Sequence, residues 1–189
     1  MRDLQKLFYP SAIAVIGASR NEHSVGGTLL SNIIRYGYNG KVYPVNPNAE
    51  TIANLPCYPD IAHIGAPVDL AIIIVPSQAV ADVLTQCGEA HIPHAVIISS
   101  GFGELGEEGK KKETDLVAIA QKYSISLIGP NCLGILNPSI HLNASFAGNN
   151  PTPGPIAFIS QSGAICASMI DYANELRIGF SKFVSIGNK

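Results

Sequence analysis

The segment 14–27, AVIGASRNEHSVGG, combines residue types that bind phosphate. An apolar run ends at Gly17, which has no side chain and lets a ligand approach the backbone closely. A helix predicted to begin near Val25 directs free N–H groups and the positive end of its dipole towards the same place. Arg20 can add a charged contact. Eight residues separate Gly17 from the glycine pair at 26–27, which is longer than the dinucleotide fingerprint allows.

The next predicted strand bears on the identity of the phosphate-bearing ligand. An NAD site carries an acidic residue about 20 residues after the glycine turn, where it holds the ribose hydroxyls. Here the strand ends VYPVNPN, with Asn46 in that region and no carboxylate before Glu50. An NADP site would place an arginine nearby, and Arg35 lies inside the predicted helix instead. The pattern therefore disfavours a nicotinamide dinucleotide without excluding one.

Short β-branched runs alternate with helix-length segments along the chain. Predicted strands cover residues 12–16, 41–45, 70–75, 95–99 and 126–128, and predicted helices cover residues 25–36, 79–90 and 107–123. Strands without polar alternation, separated by helices, are typical of a parallel sheet covered on both faces. With right-handed crossovers this predicts an α/β fold, a Rossmann-like doubly wound parallel sheet, over residues 1–136.

Five loops follow the carboxyl ends of these strands, where open parallel sheets bind their ligands. All five are small, polar or rich in glycine: residues 17–20, 46–48, 76–78, 99–103 and 129–132. Their agreement predicts one ligand site along this edge of the sheet.

A second unit follows the sheet. Residues 137–154, rich in Asn, Pro, Gly and Ser, are predicted to be a linker. Residues 155–189 contain a predicted strand (156–159), helix (165–176) and strand (182–186), the incomplete start of a second, flavodoxin-like α/β domain. Such a unit cannot bury its own faces, so we expect a longer protein or a subunit that needs a partner. The turn SQSG places Ser162 and Gly163 at a helix N-terminus, which favours either an anion site or an ordinary helix cap.

Composition narrows the functional class. The chain has 189 residues, of which 47% are hydrophobic, and a net charge of −2, so we expect a sizeable core and no binding to nucleic acid. Its four cysteines have no metal-ligand spacing and are interpreted as reduced thiols of a cytoplasmic protein without a metal site. The longest apolar runs, such as residues 70–75, are too short to span a membrane.

An ordered set of motifs resembles a known family over essentially the whole chain. The motifs are LFYPSAIAVIGASRNEHSVGG, GYNGKVYPVNP, VDLAIIIVPSQAV, AVIISSGFGELGEEG, IGPNCLGILNP, IAFISQSGA and VSIGNK. They resemble the N-terminal CoA-binding region of NDP-forming (ADP-forming) acyl-CoA and acetyl-CoA synthetases, which is similar to the alpha subunit of succinyl-CoA synthetase. The same module occurs in bacterial protein lysine acetyltransferases.

The resemblance implies coenzyme A as the ligand and assigns positions to it. Phosphates would meet the first loop, the nucleotide the second, the pantetheine arm the third, and the thiol end the fourth and fifth. Asn48 departs from the family, in which many members carry a lysine nearby. The implied CoA-binding residues are Gly17, Ala18, Ser19, Arg20, Val25, Gly26, Asn46, Pro47, Val75, Pro76, Ser100, Gly101, Phe102 and Asn131.

The resemblance also implies a reaction: acyl-CoA, phosphate and NDP give a carboxylic acid, CoA and NTP through an acyl phosphate and a phosphohistidine. Ser162 and Gly163 would face that phosphate. The family's histidine lies beyond residue 189, so no catalytic residue is assigned and we expect this chain alone to bind CoA without turnover. ADP or ATP and Mg²⁺ would bind elsewhere in the parent enzyme. The implied partners are the remainder of the chain or an ATP-grasp subunit, and a homo-oligomer is compatible with the pattern.

Other functions stay open at this point. The chain could be a regulatory CoA or acyl-CoA sensor in a protein lysine acetyltransferase, a stand-alone CoA-binding regulator, or an NAD(H)-sensing module of the same fold. A catalytic histidine in the continuation of the chain would favour the synthetase, whereas an acetyltransferase domain there would favour the sensor.

Overall fold

The structure, a computed structural model, describes residues 4–188. Its elements in chain order are α1 (Gln5–Phe8), β1 (Ala12–Ile16), α2 (Val25–Arg35), β2 (Lys41–Val45), β3 (Thr51–Ile52), β4 (Leu55–Pro56), β5 (Leu70–Ile73), α3 (Ser77–Glu89), β6 (His94–Ile97), α4 (Glu107–Lys122), β7 (Ser126–Ile128), β8 (Gly134–Asn137), β9 (Leu142–Ser145), β10 (Pro153–Ser160), α5 (Gly163–Glu175) and β11 (Phe180–Ser185). Single turns of 3₁₀ helix lie at Ala62–Ile64, Gly103–Leu105 and Pro138–Ile140.

Five parallel strands form the first sheet in the order β2-β1-β5-β6-β7. Strands β1, β5 and β6 are buried along their whole length. Their nearly continuous apolar sequence follows from this burial, since a central parallel strand is covered on both faces. Counted among themselves, the five strands have the doubly wound order 2-1-3-4-5, which opens a crevice at the carboxyl ends of β1 and β5. The predicted Rossmann-like α/β class is confirmed.

Helices cover both faces of the first sheet. On one face α3 and α4 contribute Val80, Leu84 and Leu116 to a core shared with β1, β5 and β6. On the other face α2 packs Leu29 and Ile33 into a second core, which also contains side chains of β8, β9 and β11. Helix α2 therefore lies between the two sheets and fixes one against the other.

The second sheet has the order β10-β11-β8-β9, with β10 and β11 parallel and the other pairs antiparallel. Helix α5 packs Ile170 against a cluster that contains Phe180 and Phe183. Within residues 4–188, strand β10 lies at the edge of this sheet and pairs with β11 alone. Its residues Ile156 and Ile159 are 46% and 65% exposed. The two sheets thus define a first unit (β1–β7 with α2–α4) and a second unit (β8–β11 with α5), which share the second core.

Strand β9 and the end of β8 lie within residues 137–154, which were predicted to be a linker. Both strands are fully buried, but buried polar side chains interrupt their apolar pattern. Asn143 donates to Asn150 Oδ1 and accepts from the hydroxyl of Ser145, each at 2.6 Å. Because these groups satisfy one another, polar residues can occupy buried strands. The division into domains at 1–136, 137–154 and 155–189 stays a prediction.

The other differences from the predicted elements are small. Boundaries shift by up to three residues, as for β10, which begins at Pro153 instead of residue 156. Helix α1 and the hairpin β3–β4 were not predicted, because elements of two to four residues show no periodic pattern. Among residues 4–188, no helix is long and apolar enough to cross a bilayer.

Candidate functional site

A cavity of 1240 Å³ opens where the two units meet. The first unit lines it with segments 74–76 and 98–104, which follow β5 and β6, and with the first turns of α4. The connection 131–133, the turn 161–163 before α5 and residues 187–188 after β11 complete the wall. Seven predicted site residues line the cavity: Val25, Val75, Pro76, Ser100, Asn131, Ser162 and Gly163. The other predicted site residues lie outside its lining: Gly17, Ala18, Ser19, Arg20, Gly26, Asn46, Pro47, Gly101 and Phe102.

The glycines of the predicted phosphate loop are required by close backbone packing. Gly17 has a φ of +91°, and a Cβ at this position would lie 2.2 Å from the carbonyl oxygen of Ile74. A Cβ on Gly26 would lie 2.1 Å from the carbonyl oxygen of Gly17. The side chain of Ala18 is fully buried. Strands β1 and β5 and helix α2 therefore meet here without room for side chains, and Gly17, Ala18 and Gly26 can offer a ligand only backbone atoms.

The long loop between β1 and α2 is closed by its own side chains. The N–H of Asn21 donates to Ser19 Oγ at 3.1 Å, and the N–H of His23 donates to Asn21 Oδ1 at 3.0 Å. Ser24 caps α2, because its Oγ accepts the N–H of Gly27 at 3.1 Å. The loop therefore presents a preformed helix N-terminus, and its length is explained by these turns.

Arg20 and Asn46 link the first loop to the segments after β2. Arg20 is exposed, and its Nε donates to the carbonyl of Thr51 at 3.1 Å. The Asn46 side chain donates to the carbonyl of Ala18 at 2.8 Å and accepts the N–H of Asn48 at 2.8 Å. Asn46 thus acts on the first loop from the second, a positioning contact that the sequence pattern did not show. Pro47 is exposed beside it.

The segment between β6 and α4, loop 98–106, forms the other end of the site. The hydroxyl of Ser99 donates to the carbonyl of Val75, which joins this loop to the segment after β5. Phe102 is only 1% exposed and belongs to the first core, so its side chain packs away from solvent beneath α4. Gly101 has a φ of +99° and donates its N–H to the carboxylate of Glu104.

A hydrogen-bond network joins loop 98–106 to the second unit. The Asn188 side chain donates to Glu104 Oε2 and to Glu113 Oε1, each at 2.6 Å, and accepts from Asn131 Nδ2 at 3.1 Å. Glu113 Oε1 also accepts the N–H of Gly103 at 2.9 Å. Sequence reasoning assigned no role to Glu104 and missed Glu113 and Asn188. No local signal could have found them, because their partners are 75 and 84 residues apart in the chain.

The carboxyl group of Glu104 is held as the anion. Partial burial opposes its ionisation, but hydrogen bonds from the N–H of Gly101 and the amide of Asn188 outweigh that cost and lower its pKa. The cavity wall therefore carries negative charge beside loop 98–106.

Cys132 lines the cavity and is 4% exposed. Its thiol donates to the carbonyl of Ile97 at 3.2 Å. Among the lining residues that the structure describes there is no histidine that could activate this thiol.

The N-terminus of α5 opens onto the same cavity. Ser162 caps the helix, since its Oγ accepts the N–H of Ile165 at 3.3 Å. Ser162 and Gly163 both line the cavity. The two interpretations of SQSG are therefore compatible: the hydroxyl caps the helix, while the helix end, an anion-binding feature, faces the space beside loop 98–106.

Comparison with known proteins defines the class. Residues 11–138 match the family described as CoA binding domain, and residues 153–189 match the succinyl-CoA ligase like flavodoxin domain. The chain is 46% identical to acetate–CoA ligase [ADP-forming] I of Archaeoglobus fulgidus, over 98% of this chain and 27% of that protein. It is 44% identical to the alpha subunit of acetate–CoA ligase [ADP-forming] I of Pyrococcus furiosus, over 98% of this chain and 41% of that subunit.

A solved structure gives the same result. The dinucleotide forming acetyl-coenzyme A synthetase 1 of Ca. Korarchaeum cryptofilum, in complex with phosphate and ADP, superposes with a TM-score of 0.95 at 43% identity, over 99% of this chain and 40% of that one. The chain thus belongs to the CoA binding domain family and matches the CoA-binding region of ADP-forming acyl-CoA synthetases. It spans about a quarter to two fifths of these relatives. The resemblance seen in the motifs and coenzyme A as the ligand are confirmed.

Proposed function

We propose that the chain is the CoA-binding portion of an NDP-forming acyl-CoA synthetase. The observation that carries the proposal is the shared cavity, which puts the strand-end loops of a CoA-binding sheet beside the N-terminus of α5. A thioester held at loop 98–106 would then lie beside a helix end suited to phosphate. The comparisons give no support to a sensor region of a protein lysine acetyltransferase.

The proposed ligand runs from the first loop to the cavity. Its phosphates would lie against the backbone of residues 17–19, the N-terminus of α2 at Val25 and Gly26, and the exposed Arg20. Its nucleotide would lie beside Asn46 and Pro47. The pantetheine arm would pass Val75 and Pro76, and the thiol would reach Ser100, Gly101 and Asn131. Since the Phe102 side chain is buried, its contribution would come from the backbone.

The chemistry supported by this arrangement is attack of phosphate on an acyl thioester. A phosphate oxygen forms a bond to the acyl carbon, the carbon–sulfur bond breaks, and CoA leaves as the thiolate. The chain's part is to orient the thioester with loop 98–106 and to bind the phosphate with the N–H groups at Ser162 and Gly163. The acyl phosphate would pass its phosphoryl group to a histidine outside residues 1–189, and Mg²⁺ and nucleotide would bind elsewhere in the parent enzyme.

The proposal extends to the whole protein. The remaining domains of the parent protein or a separate ATP-grasp subunit would complete the enzyme. Assembly of the enzyme as a homo-oligomer is compatible with this proposal. The described cysteines are all free thiols, which fits a reducing cytoplasm.

Calorimetry on this chain with CoA, dephospho-CoA, NAD and NADP tests the proposal. We expect CoA to bind and the two nicotinamide dinucleotides not to bind, because no carboxylate at the end of β2 is placed to hold the NAD ribose. Tight binding of NAD with no heat from CoA would overturn the assignment.

A further inference from the structure

Asn188 uses the full hydrogen-bonding capacity of its side-chain NH₂ group. Its two N–H groups go to carboxylates of Glu104 and Glu113, each at 2.6 Å. Its Oδ1 accepts from Asn131 at 3.1 Å, and its backbone N–H donates to the carbonyl of Pro130 at 3.0 Å. An amide has two N–H donors, so none is left for a ligand.

The partners of Asn188 belong to three segments that converge on the cavity. Glu104 lies in loop 98–106, Glu113 lies on α4, and Asn131 lies in the connection between the units. Each carboxylate in turn accepts a backbone N–H of loop 98–106, from Gly101 and Gly103. The conformation of this loop therefore depends on two carboxylates, and their position depends on a residue that follows β11.

The two carboxylates would repel each other without the amide between them. Their oxygens both lie 2.6 Å from the same nitrogen, which places them close together. Within residues 4–188, neither Glu104 nor Glu113 takes part in an ion pair, and the nearby Lys110 is bound to Glu107 at 2.9 Å. The amide donors of Asn188 thus stabilise a pair of like charges.

We propose that Asn188 is a positioning residue that holds loop 98–106 in the conformation which receives the thiol end of CoA. This rests on the proposed function above. Because Asn188 follows β11, and β11 pairs with the strand that leads into α5, it sets the thiol end relative to the helix N-terminus at Ser162. Among the described residues, the hydrogen bonds of Asn188 go to Glu104, Glu113, Asn131 and Pro130 and none goes to the nucleotide end, so we expect that end not to depend on it.

Comparing the binding of two ligands distinguishes this positioning role from a general effect of the substitution on the fold. CoA fills both ends of the proposed site, whereas adenosine 3′,5′-bisphosphate carries the nucleotide and no pantetheine arm. We expect Asn188→Ala to lower the affinity for CoA by about tenfold, as for loss of hydrogen bonds to charged groups, and to leave the affinity for the bisphosphate within about twofold. An equal loss for both ligands, or no loss for CoA, would overturn the proposal.

Hydrogen exchange tests the same role without any ligand. We expect amides in residues 98–106 to exchange faster in Asn188→Ala, while those of β1 and β5 are unchanged; unchanged exchange in the loop would contradict the proposal. If the unaltered chain binds neither ligand, the proposed function fails, while hydrogen exchange still decides the role of Asn188.

Two further variants sharpen the result. Asn188→Asp brings a third carboxylate to the pair, so we expect at least the same loss of CoA affinity at pH 7 and partial recovery at pH 5, a pH profile that loss of packing would not produce. Asn149→Ala is the matched control, because Asn149 also donates to a carboxylate, Asp171 Oδ1 at 2.8 Å, outside the cavity lining. We expect it to leave CoA affinity and loop exchange unchanged.

Discussion

The two ends of the proposed CoA site are built in different ways. At the nucleotide end, the loop between β1 and α2 is closed by bonds between residues two or three apart, such as those from Asn21 to Ser19 and from Gly27 to Ser24. At the thiol end, loop 98–106 is tied to Asn188, a residue 84 positions from Glu104. The first end is therefore held by residues of the first unit alone, including the longer contact from Asn46 to Ala18, whereas the second end also depends on a residue of the second unit.

This difference suggests that the two ends can be disturbed separately. Substitutions at the nucleotide end should act on the first unit and on ligand phosphates, and leave loop 98–106 as it is. The three changes below run from the largest expected effect to the smallest. The first two act at the nucleotide end, and the third acts away from both ends.

Gly17→Ala should have the largest effect. Gly17 combines a φ of +91° with a Cβ position 2.2 Å from the carbonyl oxygen of Ile74, so the substitution adds backbone strain and a clash with the residue that follows β5. We expect the free energy of unfolding to fall by at least about 3 kcal/mol, measured by urea denaturation.

Gly37→Ala is the control for Gly17→Ala. Gly37 has a φ of +86° but no atom within 4 Å of its Cβ position, so it reports strain without a clash. We expect a cost of about 1–2 kcal/mol. Equal costs at the two glycines would show that close packing against Ile74 is not what requires Gly17.

Arg20→Ala should affect binding and not stability. The guanidinium is exposed and donates to the carbonyl of Thr51, so its removal leaves the core unchanged. Loss of a charged phosphate contact should weaken CoA binding by about tenfold in calorimetry.

Arg35→Ala is the control. It removes an exposed ion pair with Glu22 at 3.2 Å and should change CoA affinity little. Faster hydrogen exchange in loop 98–106 of Arg20→Ala would disprove the independence of the two ends.

Asp69 lies away from both ends of the site, and its substitution should have the smallest effect, a small loss of folding stability. Partial burial opposes its ionisation, but the Lys6 ammonium and the N–H of Ser11, both at 2.8 Å, outweigh this and lower its pKa. A lowered pKa in the folded state stabilises the protein above the unfolded value of about 3.9, and this is lost as the pH falls through the folded value.

Asp69→Asn should therefore be less stable than the unaltered chain at pH 7, by at most about 1 kcal/mol because Lys6 is exposed. The difference should shrink at pH 3 in urea denaturation. A difference of the same size at both pH values would mean that charge is not the cause.

The contrast between the two ends also explains which features could be predicted from sequence. The parallel sheet followed from continuous apolar strands, and the turn at Gly17 and the start of α2 followed from local turn chemistry. The hydrogen-bond network at the thiol end could not be predicted from the sequence. Glu113 lies in a run of charged helix residues, and the residues next to Asn188 form no motif that marks it as part of a site. Phe102 was placed at the ligand by its motif, and the structure shows that its side chain is buried in the core.

Strand β10 has a practical consequence for all these measurements. No other strand of the described part of the chain pairs with its outer edge, and such an edge with exposed apolar side chains promotes self-association. Pro153 and Pro155 lack the N–H groups that a further strand would need, which protects the beginning of the edge. Residues 156–160 have no such protection, and Ile159 is 65% exposed there. We therefore expect concentrated solutions of this chain to aggregate through this half-strand, and a lysine at position 159 to keep them clear.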